Sequence, residues 1–204
     1  LTGEILNKQL SYWTNKLSNY EVLNIITDKP RPKQIDYTGN NIYFELDEDT
    51  SANLRQLAKE LKVSLYSLLL SGYYLMIRAY SNQDDIVIGT PIANRHYSQI
   101  EHLIGFFINS LVLRVNIDPK TLLKDFIKTV GHEVIEAQLH QDLPFEKLVE
   151  ELKVEKDTSR HPICQVRFEL QSFGSEISSI EQVPTQEHST NIIKLLKTHQ
   201  AKTI

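Results

Sequence analysis

Only one cysteine, Cys164, occurs in the 204 residues, so no internal disulfide can form and no cysteine cluster can hold zinc. That count points to a reducing, cytoplasmic setting. A basic surplus is also missing. The formal net charge is −4, which leaves no polybasic footprint for nucleic acid or an anionic membrane. The most apolar stretch, SLYSLLLSGYYLMIRAY (64 to 80), is interrupted by Ser71, Gly72 and Arg78. It falls short of the roughly 18 uninterrupted apolar residues of a membrane span. The seven histidines show no HExxH or other metal spacing, and neither a Walker loop nor GxGxxG is present. Zinc-protease, phosphate-loop and dinucleotide chemistry therefore lack their signatures.

What is present is an ordinary globular composition, 41% hydrophobic and 24% charged, of a size for one domain or one lobe of a larger one. Apolar residues at near-helical spacing predict a helix in 5 to 17, and TDKPRPKQ (27 to 34) reads as an extended connector because each proline disfavours helix before it. IYFEL (42 to 46) alternates like a strand. Leu54, Leu57, Ala58 and Leu61 mark one face of a helix over 51 to 62, and Ser64 caps a core helix to about 80. DDIVIGTPIANR (84 to 95) is a buried strand ending in a turn. GFFINSLVLRVNI (105 to 117) is a long strand, with Phe107, Asn109, Leu111, Leu113, Val115 and Ile117 on one face. Asp118–Pro119 is a cap-then-proline start for a helix running to about His140, and PFEKLVEEL (144 to 152) is a second short helix. ICQVRFELQ (163 to 171) alternates as a last strand. The predicted fold is an α/β (α+β) two-layer sandwich, a mixed sheet with helices packed on one side. Residues 172 to 204 form an atypical tail of low apolar content, expected to be partly disordered.

Three places raise a question of chemistry. His140 and Asp142 in HQDLPFE stand two apart, where helical neighbours do not face each other. The residues read better as a joint between two helices, in which Gln141 and Asp142 satisfy free backbone groups. Asn109 sits on an otherwise apolar strand face. A buried amide without partners costs ~1–3 kcal/mol, so either backbone or water must bind it, or that end of the strand opens into a cavity. Arg114 lies among Ile108 and Val112 on the opposite face and is expected to anchor a carboxylate. Cys164, on an apolar face, reads as a small buried hydrophobe.

Taken together, the motifs resemble the C-terminal half of the condensation domain of nonribosomal peptide synthetases. YWTNKL followed by LNIITDKPRP (12 to 32) is similar to that family's linker, and DIVIGTPIANR to its "DvviGtPvAgR" strand and turn. IGFFINSLVLR (104 to 114) resembles "IGxFvNTlxxR", HQDLPFE (140 to 146) resembles "HQDxPFE", and KDTSRHPICQVRF (156 to 168) resembles "RdxSRnPlfqvmF". Ser110 stands for the family's usual Thr and Asn94 for its usual Gly. The resemblance implies a chloramphenicol-acetyltransferase-like half-domain: a linker in 1–34, the lobe in 35–171, and the tail in 172–204. Two such lobes enclose a tunnel in which the family joins two carrier-protein-bound thioester substrates through an amide bond. Their phosphopantetheine arms act as substrate carriers, and the domain itself binds no cofactor. Gly105, Asn109, Ser110 and Arg114 match the strand bordering that tunnel. His140, Gln141, Asp142 and Arg160 match motifs of structural role. The family's HHxxxDG motif belongs to the N-terminal lobe and has no counterpart here, so no catalytic residue is assigned, the N-terminal lobe and carrier proteins are the expected partners, and the chain alone is expected to be inactive. Two other readings stay open, a noncatalytic carrier-docking or gatekeeping module and a related ester-forming or chain-releasing domain.

Overall fold

A computed structural model describes residues 2–95, 98–100, 102–155 and 157–171; the tail expected in 172–204 lies outside them. In chain order the elements are α1 (Gly3–Lys16), α2 (Glu48–Leu61), α3 (Leu65–Ser81), β1 (Asp85–Ile92), a 3₁₀ turn (Ser98–Ile100), β2 (Asn109–Asn116), α4 (Leu123–Leu139) and α5 (Phe145–Glu151). No helix among the described residues is long and apolar enough to cross a membrane.

Helix starts follow local chemistry. Ser64 caps α3 by accepting the Ser67 amide at 3.0 Å, as its sequence position predicts. Asp47 does the same for α2 through Thr50 at 2.6 Å, so that helix begins three residues earlier than its apolar periodicity marks. The start predicted at Asp118–Pro119 is displaced. The Asp118 carboxylate accepts the Lys120 amide at 2.9 Å and its carbonyl accepts Thr121 at 3.0 Å. The residue thus closes a turn of its own, and α4 begins only at Leu123.

β1 and β2 pair antiparallel, with Ile86 opposite Val115, Ile88 opposite Leu113, Thr90 opposite Leu111 and Ile92 opposite Asn109. Because side chains alternate across a strand, these pairs share one face of the sheet. Helices α3 and α4 cover it: the Tyr66 hydroxyl donates to Thr90 Oγ1 at 2.9 Å and that of the fully buried Tyr74 to Leu113 O at 2.8 Å. The opposite face holds Val87, Gly89, Val112 and Arg114. It receives the end of α1, with Arg114 donating to the carbonyls of Lys16 and Ser18, and the Cys164 segment. Val87 and Val112 are fully buried, so the pair is covered on both sides. A Cβ on Gly89 would lie 2.7 Å from Cys164 Sγ, which explains a glycine inside the apolar run DIVIG.

Two expected strands differ. ICQVRFELQ keeps its alternation, with Cys164, Val166 and Phe168 buried and Arg167 exposed. It nonetheless makes only a single parallel bridge to β1, Gly89 N–H to Val166 O at 3.0 Å and Phe168 N–H to Gly89 O at 2.9 Å. The next donor on β1 along this edge would be Pro91, which has no N–H. On the other side Ile163 turns to φ 64 and Cys164 N bonds Pro162 O at 2.7 Å. The ladder is stopped at both ends. IYFEL is not a strand either: Ile42, Tyr43 and Phe44 are exposed and unpaired with any described ladder. Alternation records a segment suited to an edge, but only an available partner edge makes a strand.

Candidate functional site

The corner where β2 begins and α4 gives way to α5 gathers most of the residues singled out in the sequence. Asn109 opens β2 and points at the α4–α5 joint. Its Nδ2 donates to Gln141 O at 3.1 Å and Leu143 O at 2.8 Å, while Oδ1 accepts the amides of Ser110 at 2.9 Å and Phe145 at 3.1 Å. Both donors and both acceptor positions of the amide are used. Phe145 is the first residue of α5, and its predecessor Pro144 offers no side-chain cap. A tertiary amide therefore does the capping that local sequence cannot. Of the two accounts of Asn109 on an apolar face, the geometry is that of backbone binding.

His140 is the residue that ends α4. Its Nδ1 donates to Glu136 O at 2.9 Å; since a carbonyl can only accept, the proton sits on Nδ1. The ring stacks on Tyr12 at 3.8 Å and 3° between planes. Its carbonyl accepts the Trp13 indole N–H at 2.8 Å. Lys16 and Glu133 add an ion pair along the same α1–α4 seam, where burial, then Glu133 and Glu136, push the Tyr12 phenol well above its usual range. Gln141 joins through its main chain to Asn109. Asp142 instead lines an open groove of about 310 Å³ with Leu6, Pro144 and Lys147.

Arg114 is fully engaged inside the protein. Nε and Nη2 meet the two Asp85 oxygens at 2.8 Å each, Nη1 reaches Lys16 O at 3.0 Å and Ser18 O at 2.7 Å, and Nη2 reaches Asn19 O at 3.3 Å. All five guanidinium N–H groups have acceptors. Burial pushes the Asp85 carboxyl up, but hydrogen bonds from Arg114 and the Glu21 amide, with the Arg114 charge, hold it below the ordinary range. The expected carboxylate anchor is thus Asp85, and Arg114 ties the sheet to the end of α1; in this structure it has no donor left for a ligand. Arg160 lies 2.7 Å from Asp157 in a loop whose Thr158 binds Lys33 O at 2.8 Å and accepts Ile35 N at 2.8 Å, which pins the proline connector.

Gly105 and Ser110 lie nearer solvent. Gly105 is exposed in the segment before β2, and the half-buried Ser110 hydroxyl makes no hydrogen bond among the described residues. Cys164 is buried, which pushes its thiol up against the weaker pull of Arg167; such a thiol is unreactive. No group of side chains suited to a metal is found among the described residues. Sequence reasoning missed four participants. Asp85, the acid opening an apolar strand, could have been matched to Arg114. Tyr12 and Trp13 carried a motif but no visible partner. Arg95 makes its contacts only in three dimensions.

The fold is of the chloramphenicol-acetyltransferase-like class, seen in its structural neighbours. It overlays a four-domain nonribosomal peptide synthetase bound to AMP and glycine with TM-score 0.78 and 29% identity, over 82% of this chain and 13% of that one. It overlays the X-domain from teicoplanin biosynthesis with TM-score 0.74 and 26% identity, over 81% and 37% of the two chains. The family profile described as condensation domain matches residues 1–203. The chain belongs to the condensation-domain family of nonribosomal peptide synthetases. It is 47% identical over 180 residues to N-(5-amino-5-carboxypentanoyl)-L-cysteinyl-D-valine synthase of Amycolatopsis lactamdurans, and 38% identical over 188 residues to bacitracin synthase 3 of Bacillus licheniformis. It covers 88% and 92% of its own length in these matches but only 5% and 3% of theirs.

Proposed function

We propose that the chain is the C-terminal lobe of an amide-forming condensation domain, one wall of a chamber whose other wall is a separate N-terminal lobe. The observation that carries this reading is the union in space of two family motifs: Asn109 of IGFFIN holds the main chain of the HQDLPF joint through three hydrogen bonds. The strand end bordering the chamber is thereby set rigidly against the helix layer. In the reaction, the amine nitrogen of an aminoacyl thioester attacks the carbonyl carbon of a donor thioester. The new C–N bond replaces the C–S bond, and the released sulfur on the donor arm takes up the proton the amine loses. Both substrates arrive on phosphopantetheine arms of carrier proteins, so the lobe holds no cofactor of its own.

The described histidines support placing proton handling on the other lobe. His102, His132 and His161 are exposed, and His140 is occupied by Glu136 and Tyr12. A positioned histidine contributes ~10²–10⁴-fold in rate, and a missing wall removes substrate orientation as well. The isolated chain is therefore inactive in this reading. The test is amide formation from two loaded carriers, with the chain alone and together with an N-terminal lobe carrying HHxxxDG. The reading expects no product alone and product on complementation. Turnover by the chain alone overturns it; carrier binding without turnover even beside its native lobe replaces it with a docking module.

A further inference from the structure

Helix α4 spends one side on the core, through Val130, Val134 and Ala137. Away from that side, Lys124, Lys128, His132, Ile135 and Leu139 fall within about a quarter of a helical turn of one another, and all five are exposed. Ile135 is 57% and Leu139 65% exposed. This arrangement does not favour the helix itself. Lys124 stands in the first turn, where the helix dipole disfavours a cation, and Lys124 and Lys128 are like charges at i,i+4. No carboxylate among the described residues lies within ion-pair distance of either lysine. Asp125 and Glu136 border the ridge on one side, Glu136 at 4.0 Å from His132. The basic character continues onto α2. Ala58 and Ile127 share a buried cluster, and Val63 lies so near Gly131 that an added Cβ would come within 3.2 Å of it. Lys59 and Lys62, exposed and also without an ion pair among the described residues, flank this contact from α2 as Lys124 and Lys128 flank it from α4. Glu60, the acid between them in sequence, accepts the Gln56 amide at 2.9 Å. Four lysines thus border one seam of a chain whose net charge is −4.

What the face fits follows from its order, cations toward the start of α4 and aliphatics toward its end. A second copy does not fit. Two-fold pairing across α4 sets lysines on lysines when the ridges run parallel, and lysines on Ile135 and Leu139 when they run antiparallel. Nucleic acid does not fit either: a phosphate backbone leaves the two aliphatics unmatched, and the overall negative charge repels a polyanion. An anionic bilayer meets the Asp125 and Glu136 carboxylates along the same exposed side. A helix with carboxylates along one half of a stripe and aliphatics along the other matches both parts. The ridge from Lys124 to Leu139 is about 22 Å long, and each of its halves repeats at the i,i+4 spacing that a second helix also presents.

We propose that the outer face of α4, together with the end of α2, is a docking surface for an acidic amphipathic helix of a partner protein. The face looks away from the β-sheet, so its occupant is a neighbour in an assembly and not a substrate. The inference does not rest on the amide-forming reading, and its test involves no turnover. The probe is a helical peptide of about 20 residues, with glutamates at i,i+4 spacing along one half of a face and leucines along the other. It is titrated into the isotopically labelled 204-residue chain. Amide shifts are expected at 59 to 63 and 124 to 139, and the Kd rises about ten-fold from low to high salt because exposed charges are screened. Lys124→Glu with Lys128→Glu weakens binding by about ten-fold or more, and Ile135→Ser with Leu139→Ser does the same. All four positions are exposed, so both double variants stay folded at the assay temperature, which circular dichroism checks. A peptide with lysines in place of the glutamates binds at least about ten-fold more weakly. Undiminished affinity in the lysine double variant overturns the proposal, as do shifts centred elsewhere and equal binding of the charge-reversed peptide. Tighter binding to a DNA duplex or to vesicles of anionic phospholipid than to the acidic peptide also overturns it, by assigning the face to another class of partner.

Discussion

Asn109→Ala is the sharpest perturbation of the corner that defines the candidate site. It deletes an amide whose Nδ2 serves Gln141 O and Leu143 O and whose Oδ1 serves the amides of Ser110 and Phe145. The Ser110 contact is local and water can replace it, which leaves three tertiary hydrogen bonds. At roughly 0.5–1.5 kcal/mol each, toward the upper end where the carbonyls cannot rehydrate, the loss comes to about 2–4 kcal/mol. For a domain of this size that is a fall in Tm on the order of 10 °C. Asn109→Asp separates the hydrogen-bond argument from packing. It keeps the shape and the acceptor but turns an oxygen onto the Gln141 and Leu143 carbonyls, so its cost matches or exceeds that of alanine despite the smaller change in volume. Thermal and urea denaturation of the three proteins, with the urea slope unchanged, measures the effect. Exchange of the Phe145 amide localises it. If Asn109→Asp is as stable as the wild type, the donors of Asn109 do not hold the joint and the reasoning fails.

Other expectations follow from single contacts. Because the Asp85 carboxyl is held below its ordinary value in the fold, its pairing with Arg114 contributes stability that is fully present above the unfolded pKa of about 3.9 and is lost as pH falls through the lower folded value. The stability gap between wild type and Asp85→Asn is therefore constant from neutral pH to about 5 and narrows below about 4; a gap that widens in acid refutes the pairing. Gly89→Ala places a methyl group 2.7 Å from Cys164 Sγ and destabilises by about 1–3 kcal/mol, and Cys164→Ala in the same chain restores most of it, as chemical denaturation of the double variant reads out. His140→Phe keeps the stack on Tyr12 and lowers amide formation by the complete domain less than about ten-fold, whereas a loss of ~10²–10⁴-fold makes His140 a proton-transfer group. Trp13→Phe removes the bond to His140 O at a cost near 1 kcal/mol, measured by the same denaturation.

Much of the fold is written locally. Ser64 caps α3 because its side chain accepts the Ser67 amide ahead of an apolar helical run, and Leu65 to Ser81 reads as helical because nearly every turn is apolar. The joint at HQDLPFE was visible because Pro144 favours the start of a helix, which leaves His140 to close the one before it. Asp118–Pro119 shows the limit of the same logic: a cap signal names a residue willing to turn the chain, and a nearer amide took it first.

The sequence by itself determined the helices, the two central strands, the family, and which residues deserved suspicion. These depend on spacing and side-chain type within a few residues, where the chain carries its own geometry. Only tertiary structure decided what the suspect residues hold. Asn109 was known to need partners, but the partners lie more than thirty residues away on a joint that packing brings near. Arg114 needed a carboxylate, and Asp85 became the one through the register of β1 on β2. The strand signals at 42 to 46 and 163 to 171 failed or shrank because a β-ladder is a property of two segments. Pro91 could veto one of them only after the fold had placed it alongside.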